Sequence, residues 1–102
     1  MDTNEPDSEE TVVIFRYSED EVYALMPEDP ADFDGRLCTC YQHIGQHSDA
    51  DYNYCIATSR PATPEEYAPL AEELRRIGYR LKIRERATRE HHARRRAAAR
   101  EI

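Results

Sequence analysis

Apolar residues cluster in a few short runs, and their periodicity divides the chain into elements. Thr11 to Tyr17 (TVVIFRY) is β-branched and aromatic and reads as a strand. Ser18 to Asp20 connects it to a returning strand, Glu21 to Met26. Both faces near Val12–Phe15 are apolar, which places this hairpin centrally in a sheet. Pro27 to Gly35 (PEDPADFDG) reads as a solvated loop with Phe33 as its anchor to the core. Arg36 to Gln42 predicts a third strand, with Leu37, Thr39 and Tyr41 on one face and Cys38 and Cys40 on the other. His43 to Asp51 is a turn-rich loop, and Tyr52 to Thr58 predicts a fourth strand.

Thr63 to Ile77 is the clearest element. Thr63 as N-cap, Pro64 at N1 and Glu66 at N3 make a capping box. Tyr67, Leu70, Ala71, Leu74 and Ile77 form one apolar stripe. Pro69 removes a helical hydrogen bond, so a kink or a later helix start is expected. Gly78 suits the residue after the helix. Tyr79 to Arg84 alternates strictly, as an edge strand with Arg80, Lys82 and Arg84 outward. The order β-β-β-β-α-β predicts an α+β domain: an antiparallel-rich sheet of four to five strands with one helix on a face. Residues 1–10 read as a disordered acidic leader, 11–85 as the folded domain. Residues 86–102 read as a basic Ala/Arg-rich tail, helical or disordered, that no apolar stripe holds to the core.

Composition narrows the setting. Of 102 residues, 39% are apolar and 34% charged, so the folded part is smaller than the chain. A core of about 75 residues buries only around 60–65% of its unfolded surface, so a homodimer or other partner would help it. No run approaches the ~20 apolar residues of a membrane helix. An acidic start and three cysteines, an odd number, point to the cytoplasm and free thiols. The net charge of −7 is uneven: residues 1–35 carry −11, residues 36–74 carry −4, and residues 75–102 carry +8.

Candidate chemistry gathers between Arg36 and Thr58. Gln42, His43, Gln46, His47, Asp49 and Asp51 are a dense set of donors and acceptors rimmed by Tyr41, Tyr52 and Tyr54, with Gly45 to turn the backbone. Such a loop suits recognition of a protein segment or a nucleotide, and binding is the leading expectation. A small Cys/His enzyme or metal protein is the alternative, using Cys40, His43 and His47. There Asp49 or Asp51 would orient the base, and Gln42 or Gln46 would donate to an oxyanion. Cys38-x-Cys40 puts two thiols on one strand face with no turn to wrap an ion, so buried apolar cysteines are the stronger reading; no metal or cofactor is expected. Arg80, Lys82, Arg84 and Arg86 recur about 7 Å apart on an extended strand, and the charge continues to Arg100. Weak nucleic-acid binding is therefore a third reading, although no aromatic interleaves with the tail.

The stretch from Thr11 to Arg86 resembles a family of short uncharacterised proteins from bacteria and their phages. YQHIGQHSDADY and the helix start RPATPEEY carry the likeness. The resemblance implies a bacterial or phage setting and no particular chemistry.

Overall fold

The computed structural model describes residues 10–42 and 46–100. The central hairpin is β1 (Thr11–Ser18) and β2 (Glu21–Pro30), paired antiparallel from Ile14↔Leu25 to Ser18↔Glu21. Its turn places Glu19 and Asp20 at φ 53° and 68°, the left-handed pair that a two-residue hairpin loop needs. β3 (Cys38–Gln42) lies beside β2, and β4 (Gln46–Ala50) lies beside β3. The other side of β1 carries two short strands. β5 (Arg60–Pro61) pairs antiparallel with Arg16 and Tyr17, and β6 (Leu81–Ile83) pairs parallel with Thr11 to Val13. The result is an α+β domain on a six-stranded, antiparallel-rich sheet.

Among the described residues three helices cover the sheet, rather than the expected one. α2 (Pro64–Arg76) packs Leu70, Ala71 and Leu74 on Val13, Phe15, Ala24, Met26 and Tyr41. Its capping box is formed as the sequence predicts, and Pro69 sits inside a continuous helix. The other face holds a second cluster of Ile14, Leu25, Cys38, Cys40 and Tyr52. Alternation along β1 and β2 supplies both clusters, which is why those strands are apolar on both sides.

Several expectations are corrected. Residues 52–58 do not form a strand: Tyr52–Ala57 is a helix, α1. Asp51 caps it by accepting from the Tyr54 N–H at 3.2 Å, and Tyr52, Cys55 and Ile56 face the sheet at i, i+3, i+4 spacing. β2 runs on through Pro27 to Pro30, where the register with β3 shifts and β1 has stopped pairing with it, the irregular setting in which a strand tolerates proline. Phe33 is no anchor: it is 89% exposed. The tail is not loose. Arg89–Arg100 forms α3, with Arg95 and Ala99 buried against the end of β2 and the 31–37 loop. Residues 1–9 of the acidic leader lie outside the described residues. Among those described, no helix is long and apolar enough to cross a membrane.

Two buried arginines hold helices to the sheet through backbone carbonyls. Arg16, 4% exposed, donates to Ser59 Oγ and Ser59 O at 2.8 Å and to Ile56 O at 3.3 Å, where α1 ends. A cation at a helix C-terminus meets the negative end of its dipole. Arg95, 5% exposed, does the same work for α3, donating to Pro27 O and Gly35 O at 2.8 Å each.

Candidate functional site

The β3–β4 hairpin pairs Tyr41 with His47 and Thr39 with Asp49. Tyr41 is fully buried under α2 and its hydroxyl donates to Glu73. His47 stands edge-on to the Tyr41 ring at 4.8 Å, and its Nε2 lies 2.9 Å from the Tyr79 hydroxyl. Burial and the nearby Asp29 carboxylate push the Tyr79 hydroxyl pKa up, so it stays a neutral hydroxyl. Tyr41 and His47 thus tie the hairpin to α2 and to the segment entering β6. Gln42 and Asp49 are exposed, Gln46 pairs with Gln42 through the backbone register, and His43 lies outside the described residues.

Asp51, Tyr52 and Tyr54 belong to the opposite layer. Tyr52 is buried, accepts from the Ala87 N–H at 2.9 Å through its hydroxyl, and meets His92 edge-on at 4.8 Å. Tyr54 is 67% exposed. The tyrosine rim read from the sequence is therefore divided between the two faces of the sheet.

The same parity separates the thiols from the hairpin histidine. Cys40 lies opposite Ser48, and His47 lies opposite Tyr41, so Cys40 and His47 point to different faces. Burial pushes the Cys38 thiol up to about 12 and the Cys40 thiol up to about 11, and it raises the Cys55 thiol as well. Thiols held protonated at neutral pH are poor nucleophiles and poor metal ligands. Among the described residues no group of three or more His, Cys, Asp or Glu side chains could hold a metal ion.

What the fold does assemble is a cleft of about 280 Å³ between the body and α3. The body contributes Arg36, Asp51, Tyr52 and Asn53. The helix contributes Arg89, His92 and Arg96, spaced i, i+3, i+7 on one face, together with the buried Arg95. α3 is fixed at its start by Thr88. The Thr88 hydroxyl accepts from the His91 N–H at 3.2 Å while the His91 ring nitrogen Nδ1 accepts from the Thr88 N–H at 3.0 Å, a capping box with histidine in the acid's place. Further along, Arg94 bridges Glu28 at 3.1 Å. Gly35, at φ 77°, sits so close to α3 that an added Cβ would lie 2.8 Å from the Arg96 Cα.

Arg95 also sets the state of His92. Its Nη1 lies 2.8 Å from His92 Nδ1, and a guanidinium can only donate. Nδ1 is therefore the acceptor, and the neutral ring carries its proton on Nε2. Burial lowers the His92 pKa, and the positive charge of Arg95, Arg96 and His91 lowers it further. The cleft is a region of positive potential lined by N–H donors. Of the residues singled out in the sequence, Asp51 and Tyr52 reach it. Arg36, Asn53 and His92 were not among the candidates, and Arg89, Arg95 and Arg96 entered only as part of a basic tail. The i, i+3, i+7 spacing of Arg89, His92 and Arg96 was the available signal.

No family model, no curated protein and no solved structure matches the chain.

Proposed function

We propose that the chain is a small, non-enzymatic binding or regulatory module whose ligand occupies the cleft between α1 and α3. The observation that carries this reading is the convergence of two segments distant in sequence. The end of the 41–54 stretch and the basic tail meet there around one concave, polar-lined space. Ligand sites are concave and fix their ligands through convergent polar groups, and this cleft supplies both, with a lining more polar than most. Binding rather than turnover is supported by the groups present. The cleft offers donors and cations, its carboxylate Asp51 is engaged in capping α1, and the thiols are buried and protonated. Three free cysteines suit a reducing cytoplasm.

Amide chemical shifts of the full chain, followed while small anions, cations and neutral polar compounds are added, test this reading. Localised shifts at residues 51–53 and 89–96 are expected. A panel that leaves those amides unmoved, or moves only the exposed β4 residues, would rule out this cleft.

A further inference from the structure

We propose that the ligand of this cleft is a small phosphate-bearing anion, of diphosphate or nucleoside phosphate size, held by Arg36, Arg89 and Arg96. The proposal rests on the binding reading above and names its ligand class. Four guanidiniums converge on the space against a single carboxylate, Asp51, one oxygen of which already accepts from the Tyr54 N–H. Arg95 is committed to the Pro27 and Gly35 carbonyls and to His92. Arg36, Arg89 and Arg96 are exposed, and none forms an ion pair with a carboxylate among the described residues. By contrast, Arg60 pairs with Glu66, and Arg94 pairs with both Glu28 and Glu90. The chain has 21 acidic residues against 14 basic ones, so carboxylates are plentiful. Among the cleft arginines, Arg36 feels the Asp32 carboxylate at longer range; cations gathered without close ion pairs still repel one another, and a multivalent anion removes that repulsion.

The chemistry favours phosphate over a single carboxylate. Guanidinium forks match phosphate oxygens two at a time, and a phosphate group offers enough oxygens to engage more than one fork. His92 adds an Nε2–H donor, because Arg95 fixes the other ring nitrogen as acceptor. The volume, about 280 Å³, is at the small end of ligand pockets. It fits one or two phosphate groups with a compact attachment between α1, α3 and the Arg36 loop. The free second carboxylate oxygen of Asp51 can accept from a hydroxyl of that attachment. A second cleft, of about 300 Å³, is lined by Glu10, Glu28 and Asp29 and serves as an internal control that a phosphate should avoid.

The test uses the full chain with pyrophosphate, ADP, adenosine and a single-stranded oligonucleotide, read by calorimetry and by amide shifts. Pyrophosphate and ADP should bind and move the Asn53 and Arg96 amides without moving Glu28 and Asp29, and adenosine should not bind. Arg89→Gln with Arg96→Gln removes two exposed charges, so the circular dichroism should be unchanged while pyrophosphate binding weakens roughly a hundredfold, about tenfold for each lost charge-assisted contact. Wild-type affinity in the double variant overturns the proposal. So does adenosine binding as well as ADP, or an oligonucleotide binding where pyrophosphate does not. Adenosine moving the cleft amides where phosphates leave them still would sink the phosphate class and leave the binding reading intact. No compound moving them at all would end both.

Discussion

The Arg95 guanidinium lies 2.8 Å from the Pro27 carbonyl oxygen, 68 residues away in sequence, and is nearly sealed from solvent. A buried cation without a carboxylate partner is costly unless its donors are satisfied, and here two carbonyls and a ring nitrogen satisfy them. Replacing Arg95 with Ala strips two carbonyls of their donors and leaves a void at the α3 contact. A loss of about 3 kcal/mol of unfolding free energy is expected, measured by urea titration. A change under about 0.5 kcal/mol would show that Arg95 does not hold α3 in place.

Gly35 and Gly78 both have positive φ, at 77° and 116°, but their surroundings differ. An alanine at Gly78 meets nothing within 4 Å, so it carries only the backbone penalty, roughly 1 kcal/mol. At Gly35 the added methyl also runs into the Arg96 backbone, and about 2–3 kcal/mol is expected. Denaturation of the two variants side by side should rank Gly35→Ala as the worse; equal losses would mean α3 retreats freely from the loop.

Glu66 forms part of the α2 capping box and receives two bonds from Arg60, at 2.9 and 2.7 Å. The Arg60 hydrogen bonds, then the Thr63 N–H, hold its carboxyl down at about 2, against an ordinary value of 4.5. A depressed acid stabilises the folded state fully above its unfolded pKa and loses that effect as pH falls toward the folded one. Glu66→Gln should therefore melt below wild type at pH 7, with the gap closing between pH 4.5 and 2. A gap constant with pH would assign the difference to packing alone.

His92 is shifted in the same direction and acts with the same sign, but at higher pH. Burial, Arg95, Arg96 and His91 lower its pKa from 6.5, so the unfolded chain binds the proton more tightly. Its contribution to stability declines as pH falls below 6.5 and levels off once the folded-state ring also titrates. Proton NMR should find its midpoint below 6.5, and saturating pyrophosphate should move that midpoint up by placing negative charge in the cleft. A midpoint unmoved by pyrophosphate would place the anion elsewhere.

Thiol labelling at pH 7.5 should order the cysteines by access and thiolate content. Cys55, half-buried, should react first, and Cys38, pushed up to about 12 and fully buried, last. Peptide mass spectrometry of partly labelled protein reads this order directly. Rapid labelling of Cys38 or Cys40 in the folded state would contradict the burial described here.

The parts of the fold that the sequence makes legible are those written in apolar periodicity or in cap chemistry. Val12–Phe15 announces a two-faced central strand, and Thr63-Pro64-x-Glu66 announces α2. α1 was misread because six residues from Tyr52 fit an alternating pattern as well as an i, i+3, i+4 one, and only the Asp51 cap decides between them. α3 was misjudged for a different reason. It docks through a buried guanidinium, one alanine and a glycine contact, none of which registers as hydrophobic patterning. Half of the cleft wall belongs to that helix, so the site was hidden along with it.

The position of Arg95 has a consequence for synthesis on the ribosome. The sheet and α2 can close together once β6 has emerged, because every strand and the helix on that face are then present. The Pro27 and Gly35 carbonyls, made much earlier, must keep their water until Arg95 leaves the exit tunnel. Docking of α3 on the second face therefore waits for Arg95, while Ile14, Leu25, Cys38, Cys40 and Tyr52 can pack before it is made.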